Sequence, residues 1–510
     1  MHSISHDILI IGAGIAGQRA ALEASQAGLS VGIASKKHPL HSASILSSYI
    51  NPLYLDWKKH SQNTLQEGQF LGNPAIIEKF SRETFQTVNE MQSWKKKEEE
   101  HFLHTLFNRL NKKNTTLYPY YFCLQLIIEE KKCKGAIFLD IEKGKIISIQ
   151  SKATLLATGG CGKIFSRTTN DSASTGDGLA LAFSAGIPLQ DMEFIQFHPL
   201  GGEKGHIEKE KIEKNEFLTN IQNERFMKKY SPQKMEQAEH STIVRGMMNE
   251  IKEGKGVGKE RKQLFLNNGQ RKKLVSPTMH YCLGGIPVDY YARVIADENG
   301  TIVQGLFAAG ENACASIHGA NRMEGNSILE GMVFGKIAGQ AMSTYARENK
   351  EENNFSSLHR ENAKERIEHL LSNAKGKRPF IVRESMQKMM MEKTGVLREK
   401  REFENGIRQW KKLFKESQEI IIEDKTKSFN TDLVEALETQ NMVLVSQSIL
   451  ESALERKETR GHHIRMDYPR MDDKKWLKHT LFKRGNKKTK LFYKPILVNE
   501  KIKKKATIRE

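Results

Sequence analysis

The pattern of apolar and polar positions predicts a strand, a helix and a second strand at the start of the chain. An apolar run at 8–11 is followed by a glycine-rich turn, a helical stretch at 18–27 and a second apolar run at 29–34. This order makes a complete βαβ unit, the building block of sheets whose parallel strands are covered by helices. The sequence therefore predicts an α/β fold.

The later pattern predicts a discontinuous organisation. Further elements are predicted as helices at 76–97 and 100–112, and as strands at 117–129, 135–140, 145–150 and 153–157. The stretch 201–275 is polar and poor in apolar periodicity, which indicates a separate inserted unit. Strand and turn patterns like those of the first part return at 278–345, and the pattern from 355 to 456 is helical.

Composition is typical of a globular protein, with 38% hydrophobic and 28% charged residues among 510. The five cysteines are scattered without a Cys-x-x-Cys pair, so we expect neither a disulfide framework nor a metal site. Such cysteine usage favours a reducing compartment. No signal-like segment or apolar run long enough to span a bilayer is found. We expect a chain that meets a membrane only through a partner.

The net charge of +19 raises the question of nucleic acid or another anionic partner. Lysines cluster at 94–100, 203–214 and 474–505, but aromatic residues are not regularly interleaved with them as a base-stacking surface needs. The clusters are therefore interpreted as solvated surface, and no nucleic acid is expected.

Three glycines in the first turn indicate a nucleotide site. Gly12 allows the tight turn, Gly14 allows the backbone to approach a pyrophosphate, and Gly17 allows the helix to pack on the strand. The amino terminus of the following helix stabilises phosphate charge. The spacing after an apolar strand predicts a dinucleotide cofactor.

The end of the second strand favours FAD over NAD. An NAD site commonly has an acidic residue there, whereas this chain has Ser35 and Lys36. Two later segments, 157–160 (Ala157, Thr158, Gly159, Gly160) and 305–311, are typical of strands that end against a cofactor. In the second of these, the carboxylate of Glu311 is suited to accept hydrogen bonds from a ribose or ribityl hydroxyl.

A series of long motifs follows the glycine-rich turn in order along the chain. They are TTN at 168–170, TGDG at 175–178, DMEFIQFHP at 191–199, ERFM at 224–227, VR at 244–245, EIKEG at 250–254, PTMHY at 277–281, HGANRMEGNS at 318–327, FNTDL at 429–433, RGHH at 460–463, DYP at 467–469 and WLKHT at 476–480. With these motifs the chain resembles the succinate dehydrogenase/fumarate reductase flavoprotein family over most of its length. The related L-aspartate oxidases share the first two thirds of the motifs, while the last ones look more like the succinate/fumarate branch.

The resemblance implies a Rossmann-like FAD-binding domain with an inserted α+β capping domain and a C-terminal helical domain. The FAD-binding domain is predicted to comprise 1–193 and 278–345, and the shortened capping domain 194–277. The helical domain is predicted at 355–456, and a basic C-terminal segment at 457–510. It also implies that further residues contact FAD. They are Ser35, Lys36, Asp177, Asn326 and Ser327.

His41 has two interpretations. The resemblance places it where the succinate/fumarate branch attaches FAD covalently to a histidine, although the residues after it differ from that branch. Alternatively, it is a solvated loop residue near His38.

The resemblance also implies a dicarboxylate site. Arg322 suits a carboxylate clamp, because a guanidinium offers paired donors and stays charged. His198 and His280 correspond to the other substrate-contacting residues of the family.

Several departures from the family affect the expected chemistry. A charged run at 208–220 replaces a substrate-binding threonine and its neighbouring acid, and the chain is shortened near 94–100 and 267–276. His240, followed by Ser241, stands where the family has a proton-shuttling arginine, with Arg245 the nearest alternative. An ordinary histidine titrates near 6.5, so a histidine shuttle predicts rates that change between about pH 6 and 7.5.

Three functions remain open on this reasoning. The first is the flavoprotein subunit of a succinate dehydrogenase or fumarate reductase, which passes electrons to an iron-sulfur subunit docked on a membrane anchor, at the cytoplasmic face of the cell membrane. The second is an L-aspartate oxidase-like dicarboxylate oxidoreductase. The third is a catalytically impaired flavoprotein subunit, favoured by the altered shuttle position.

Overall fold

The computed structural model describes residues 4–39, 56–94, 102–110, 112–202, 207, 211–350, 354–485 and 489–496. The strands are β1 Ile4–Ile11, β2 Val31–Ser35, β3 Thr115–Pro119, β4 Tyr121–Glu129, β5 Lys132–Asp140, β6 Lys145–Leu156, β7 Leu189–Gln190, β8 Ile195–Gly201, β9 Phe217–Thr219, β10 Leu264–Asn267, β11 Lys272–Cys282, β12 Ile286–Pro287, β13 Arg293–Ile295, β14 Ile302–Ala308, β15 Ala313–Cys314, β16 Leu397–Arg398, β17 Ile464–Arg465, β18 Lys478–Lys483 and β19 Lys490–Pro495. The α-helices are α1 Ile15–Gln26, α2 Trp57–Glu67, α3 Pro74–Trp94, α4 Phe102–Arg109, α5 Asp177–Ser184, α6 Met227–Tyr230, α7 His240–Lys252, α8 Asn326–Glu348, α9 Leu358–Ser372, α10 Pro379–Lys393, α11 Lys400–Gln418, α12 Thr431–Glu455 and α13 Asp473–Trp476.

The central sheet has the strand order β13-β14-β5-β6-β1-β2-β3, with β4 paired to β5. Strand β1 lies parallel to both neighbours, so that Ile8 is opposite Val31 of β2 and Ala153 of β6. The carboxyl ends of these strands meet at one edge, which is where open α/β sheets bind ligands. Helices α1 and α8 pack together beside the sheet, and the predicted α/β class is confirmed.

Several predicted boundaries were wrong, and the strand predicted at 117–129 is divided into β3 and β4 at Tyr120. Helix α1 begins at Ile15, not at 18, because the turn is completed by Gly14. The predicted strands at 145–150 and 153–157 form the single strand β6. The polar pair between them stays in the strand, since Ser151 bonds to Thr154 and Lys152 reaches the carboxylate of Asp7 at 2.8 Å.

The inserted stretch has its own hydrophobic core. A four-stranded sheet in the order β8-β11-β10-β9 packs against α7. Its apolar side chains form a cluster separate from the main core, made of Leu200, Ile212, Leu218, Phe226, Met227, Ile243, Met247, Leu264, Leu266 and Val275. These side chains are widely spaced along the chain, which explains why the stretch has little apolar periodicity.

Buried ion pairs join the C-terminal segment to the rest of the molecule. Arg456 contacts Glu193 at 2.5 Å and Glu458 at 2.9 Å, and all three side chains are inaccessible to solvent. His479 bonds to Asp191 at 2.6 Å. Breaking such a pair leaves an uncompensated buried charge, so these contacts fix the C-terminal motifs against the segment that carries His198.

In the part of the chain that the structure describes, no helix is long and apolar enough to cross a membrane. The region predicted to be helical, 355–456, contains α9 to α12, interrupted by the two-residue strand β16.

Candidate active site

A cavity of about 930 Å³ extends from the first turn to the inserted unit. One end, called here the glycine end, is formed by Gly12, Gly14 and Gly160. The other, called the histidine end, brings together His198, His240, His280, Arg322, Lys211 and Glu324. Residues far apart in the sequence therefore share one cavity.

The glycine end depends on close approaches of the backbone. Gly12 has φ +108°, and a Cβ on it would lie 2.2 Å from the carbonyl oxygen of Ala157. A Cβ on Gly17 would lie 2.0 Å from the carbonyl oxygen of Gly12. Gly17 does not line the cavity, so its contribution is the packing of α1 on the turn. Gly14 precedes α1 and lines the cavity, which places the helix amino terminus where phosphate charge is stabilised.

Ser35 and Lys36 line the cavity at the end of β2. The ammonium of Lys36 lies 2.7 Å from Asp177 and 2.6 Å from Glu438. Burial opposes the charge on Lys36, but the two carboxylates outweigh it and raise its pKa. Lys36 and Asp177 thus balance each other's charge beside the cavity.

Glu311 and the segment 157–160 meet at the cavity wall. A Cβ on Gly160 would lie 2.2 Å from Oε1 of Glu311, and the same oxygen accepts a hydrogen bond from the backbone N–H of Cys282 at 3.1 Å. Burial raises the pKa of Glu311 to about 7. A buried carboxylate that lines a cavity is suited to accept a hydroxyl hydrogen bond from a ligand.

Asn326 and Ser327, both predicted to contact the cofactor, lie differently relative to the cavity. Ser327 lines the cavity, whereas Asn326 does not. The amide of Asn326 bonds to His60 at 2.9 Å and Thr64 at 3.1 Å, and so joins the start of α8 to α2. His41 lies outside the described residues.

Arg322 is held rigidly at the histidine end. Its Nε donates to Oε1 of Gln196 at 3.1 Å and its Nη1 to the carbonyl of Met323 at 3.3 Å. The guanidinium lies over the ring of Tyr281, 4.6 Å from the centroid. Only 6% of Arg322 is exposed, so the charge is fixed in place for a desolvated anion.

Three histidines surround the same space. The ring centroid of His198 lies 4.8 Å from that of His240 and 5.5 Å from that of His280. Nδ1 of His198 accepts from the backbone N–H of Leu200 at 3.2 Å, which places the proton of the neutral ring on Nε2. Nδ1 of His280 is paired with the hydroxyl of Thr169 at 2.8 Å.

The cavity keeps two of these histidines neutral. Burial is the main cause that lowers the pKa of His240 to about 4, with Arg322 and Lys211 adding to it and Glu324 opposing it. Burial, followed by Arg322, lowers the pKa of His280 well below its ordinary value. The expectation of an ordinary pKa near 6.5 for His240 was therefore wrong for the cavity without ligand.

Arg245 is not part of this site. It lies exposed on α7 and does not line the cavity. His240 begins the same helix, and five positions along an α-helix turn by about 140°, so the two side chains point in different directions. The structure thus brings His240, and not Arg245, to the histidine end.

Sequence reasoning missed three residues of the histidine end. Gln196 positions Arg322, and Lys211 forms an ion pair with Glu324 at 3.1 Å. Lys211 belongs to the charged run at 208–220 that departs from the family, and Glu324 lies two positions after Arg322 inside a recognised motif. The charge of the run around Lys211 and the position of Glu324 in the motif at 318–327 were the available signals for these two residues.

The cavity fits a dinucleotide cofactor. It combines a helix amino terminus, close backbone approaches and a buried acid, and Oδ1 of Asn170, which lines it, is buried without a hydrogen-bond partner in the described structure. A group of at least three histidine, cysteine or acidic side chains arranged for a metal ion is not found among the described residues.

Comparison with known proteins defines the class. Residues 7–99, 95–270 and 258–328 match the family described as FAD binding domain, so the chain is an FAD-binding flavoprotein. Residues 383–508 match the family described as fumarate reductase flavoprotein C-term.

Relatives and solved structures narrow the class further. The chain is 31% identical to the mitochondrial succinate dehydrogenase flavoprotein subunit of Oryza sativa, over 97% of this chain and 90% of the relative. It is 30% identical to the fumarate reductase flavoprotein subunit of Mycobacterium tuberculosis, over 97% of each. A quinol fumarate reductase FrdA from E. coli superposes with a TM-score of 0.90 at 25% identity, over 98% of each chain. The chain belongs to the family of succinate dehydrogenase and fumarate reductase flavoprotein subunits, which confirms the predicted resemblance.

Proposed function

We propose that this chain is the flavoprotein subunit of a succinate dehydrogenase or fumarate reductase and interconverts succinate and fumarate. The observation that carries the proposal is the joining of Arg322, His198 and His280 to a nucleotide-binding turn by one continuous cavity. FAD bound there supplies the acceptor or donor of a hydride. The side chains of the histidine end then hold the two carboxylates and move one proton.

Arg322 binds one carboxylate of the substrate. Its fixed guanidinium presents paired donors, and the low exposure of the site strengthens the attraction. The N–H on Nε2 of His198 donates to a substrate oxygen, and His280 contributes a further ring nitrogen. These contacts keep the two reacting carbons in one orientation.

His240 moves the proton. In succinate oxidation the carbon next to the one that gives up a hydride loses a proton, which the neutral ring of His240 would accept. In fumarate reduction the protonated ring returns it. Because the pKa of His240 is lowered to about 4, the ring is neutral near pH 7 and is prepared as a base. Near pH 7 the ring is therefore in the form that oxidation needs, while reduction needs the rarer protonated form.

We propose that electrons leave the flavin through a partner subunit. The described residues do not offer a cluster of metal ligands, and the chain's cysteines are isolated and buried. An iron-sulfur subunit docked on a membrane anchor fits this requirement and places the chain peripherally at the cytoplasmic face of the membrane. Affinity capture of the tagged chain from solubilised membranes is expected to retain an iron-containing subunit, and capture of the chain alone would contradict the assembly.

The competing function is a catalytically impaired flavoprotein subunit, and His240 is the observation that favours it. Turnover of the FAD-loaded chain with succinate, fumarate and L-aspartate separates the possibilities. We expect succinate oxidation with an artificial electron acceptor. Activity with aspartate alone would identify an L-aspartate oxidase-like enzyme, and a yellow protein inactive with all three would identify the impaired subunit.

Covalent attachment of FAD through His41 is the finer part of the cofactor proposal. It predicts that flavin stays with the polypeptide after acid precipitation and that His41→Ala releases it. Flavin found wholly in the supernatant of the wild type would show that His41 is a loop residue only.

A further inference from the structure

A dicarboxylate brings two negative charges into the histidine end, and the buried side chains there supply one lasting positive charge. Arg322 is that charge, because its buried guanidinium stays ionised at every physiological pH, whereas desolvation lowers the pKa of His240 and of His280. Neutral rings can donate a hydrogen bond but do not offset a second carboxylate. A second cation near the cavity would offset the charge of the second carboxylate.

Lys211 is placed to supply it. Its side chain lines the same cavity as Arg322 and His240, although it comes from the inserted unit. In the structure its ammonium lies 3.1 Å from Oε2 of Glu324. Lys211 and Glu324 both act electrostatically on His240, so the pair lies within reach of the reacting end of the cavity.

The ion pair between Lys211 and Glu324 is easily exchanged. The Lys211 side chain is 58% exposed and that of Glu324 is 45% exposed. Exposed pairs of this kind contribute only about 0–1 kcal/mol, since water solvates both charges. Lysine also has a long flexible side chain, so its ammonium can move to a new anion without a change in the backbone.

We propose that Lys211 is the second carboxylate-binding residue of the site, and that Glu324 holds its ammonium until a dicarboxylate takes the place of the glutamate. Glu324 is thus an internal competitor of the substrate. The assignment rests on the proposed dicarboxylate function, and it gives Lys211 the role that the resemblance assigns to a substrate-binding threonine and its neighbouring acid.

The test uses the FAD-loaded full chain and malonate, a dicarboxylate that cannot react by loss of a hydride and a proton from adjacent carbons. Binding is measured from the change in flavin absorbance, with acetate as the monocarboxylate probe. We expect Lys211→Met to weaken malonate about tenfold and to leave acetate unchanged, because only the second carboxylate loses its partner. Lys214→Met is the matched control, since Lys214 is exposed and does not line the cavity.

Glu324→Gln is expected to change malonate affinity in the opposite direction. Removing the competing carboxylate frees Lys211, so malonate is expected to bind severalfold more tightly, and the double variant is expected to behave like Lys211→Met. Unchanged malonate affinity in Lys211→Met would overturn the assignment. Weaker binding in Glu324→Gln would also overturn it, because Glu324 would then support malonate binding and not compete with it.

The same titration separates this inference from the proposed function. A wild-type holoprotein that binds no malonate would overturn both. A wild type that binds malonate through Lys211 but turns over neither succinate nor fumarate would overturn the proposed reaction and leave the assignment of Lys211 supported.

Discussion

The two ends of the cavity are built from different parts of the protein. The glycine end consists mainly of backbone, with Gly12 and Gly160 packed closely against neighbouring atoms at the edge of the central sheet. The histidine end consists of side chains from the inserted unit and the loop before α8, and two of them, Lys211 and Glu324, are about half exposed. The backbone conformation therefore shapes the glycine end, whereas the chemical nature of the side chains determines the properties of the histidine end.

This difference shows where the family's chemistry can change. A backbone site tolerates many substitutions around it, provided that the few glycines remain. A side-chain site changes its proton chemistry with one substitution, as the predicted exchange of the family's arginine for His240 would do. We therefore expect changes in chemistry to concentrate at the histidine end.

The largest effect is expected from Gly12→Ala. The positive φ and the 2.2 Å approach to Ala157 leave no room for a methyl group, so the turn must open. FAD affinity is expected to fall at least about a hundredfold, measured as flavin absorbance per chain after reconstitution. Gly28→Asn is the control, because a Cβ there meets nothing within 4 Å and asparagine tolerates a positive φ. A Gly12→Ala protein that retains one FAD would mean that the glycine end is more adaptable than its backbone indicates.

Arg322→Ala is expected to affect only the histidine end. Removing the charged partner of a desolvated carboxylate costs about 2–5 kcal/mol, so kcat/KM for succinate should fall by about thirtyfold to several thousandfold while FAD remains bound. Arg271→Ala, an exposed arginine of the inserted unit, should leave both unchanged. Full activity in Arg322→Ala would place the substrate elsewhere.

If His240 moves the proton, fumarate reduction and succinate oxidation should depend differently on pH. With a pKa of about 4 in the free enzyme, its protonated form becomes rarer as pH rises, so kcat/KM for fumarate reduction should fall about tenfold per pH unit between pH 5.5 and 8. Over the same range kcat/KM for succinate oxidation should be flat, because the neutral ring is already present. The sequence alone predicted that both rates change, and only between about pH 6 and 7.5.

Variants of His240 test the assignment. His240→Arg should flatten the fumarate profile, because an arginine stays protonated, and His240→Ala should lose about a hundredfold or more in both directions. Rates unchanged by His240→Ala but lost in Arg245→Ala would show that the exposed arginine moves the proton. Restoration of an inactive wild type by His240→Arg would identify the impaired subunit.

The smallest effect is expected from Glu311→Gln at the glycine end. The folded-state pKa of about 7 lies above the ordinary 4.5, so the folded apoprotein binds more protons and loses stability as pH rises from about 4.5 to 7. The glutamine removes this loss, worth on the order of 1–3 kcal/mol, and should raise the apoprotein Tm at pH 8 but not at pH 5. FAD affinity should fall severalfold, because a charged acceptor is lost. A Tm gain that is independent of pH would contradict the buried-acid explanation.

Much of the fold could be predicted because its signals are local. The βαβ unit, the glycine spacing and the helical region after 355 depend on contacts between residues close in sequence. The strand β6 was divided by the polar pair Ser151 and Lys152, because the partners that keep them in the sheet, Thr154 and Asp7, are known only from the structure. The bonds of Asn326 could not be predicted for the same reason, since His60 and Thr64 lie far from it in sequence.

By itself the sequence determined the fold class, the family and many of the residues at the two ends of the cavity, since motifs and glycine spacing are visible in the sequence. The tertiary structure decided which of them meet. It separated His240 from Arg245 through the geometry of α7, and it joined Lys211 to Glu324 across 113 positions of sequence. It also decided the protonation of His240, because the pKa of a side chain depends on its burial and on neighbouring charges that only folding brings together.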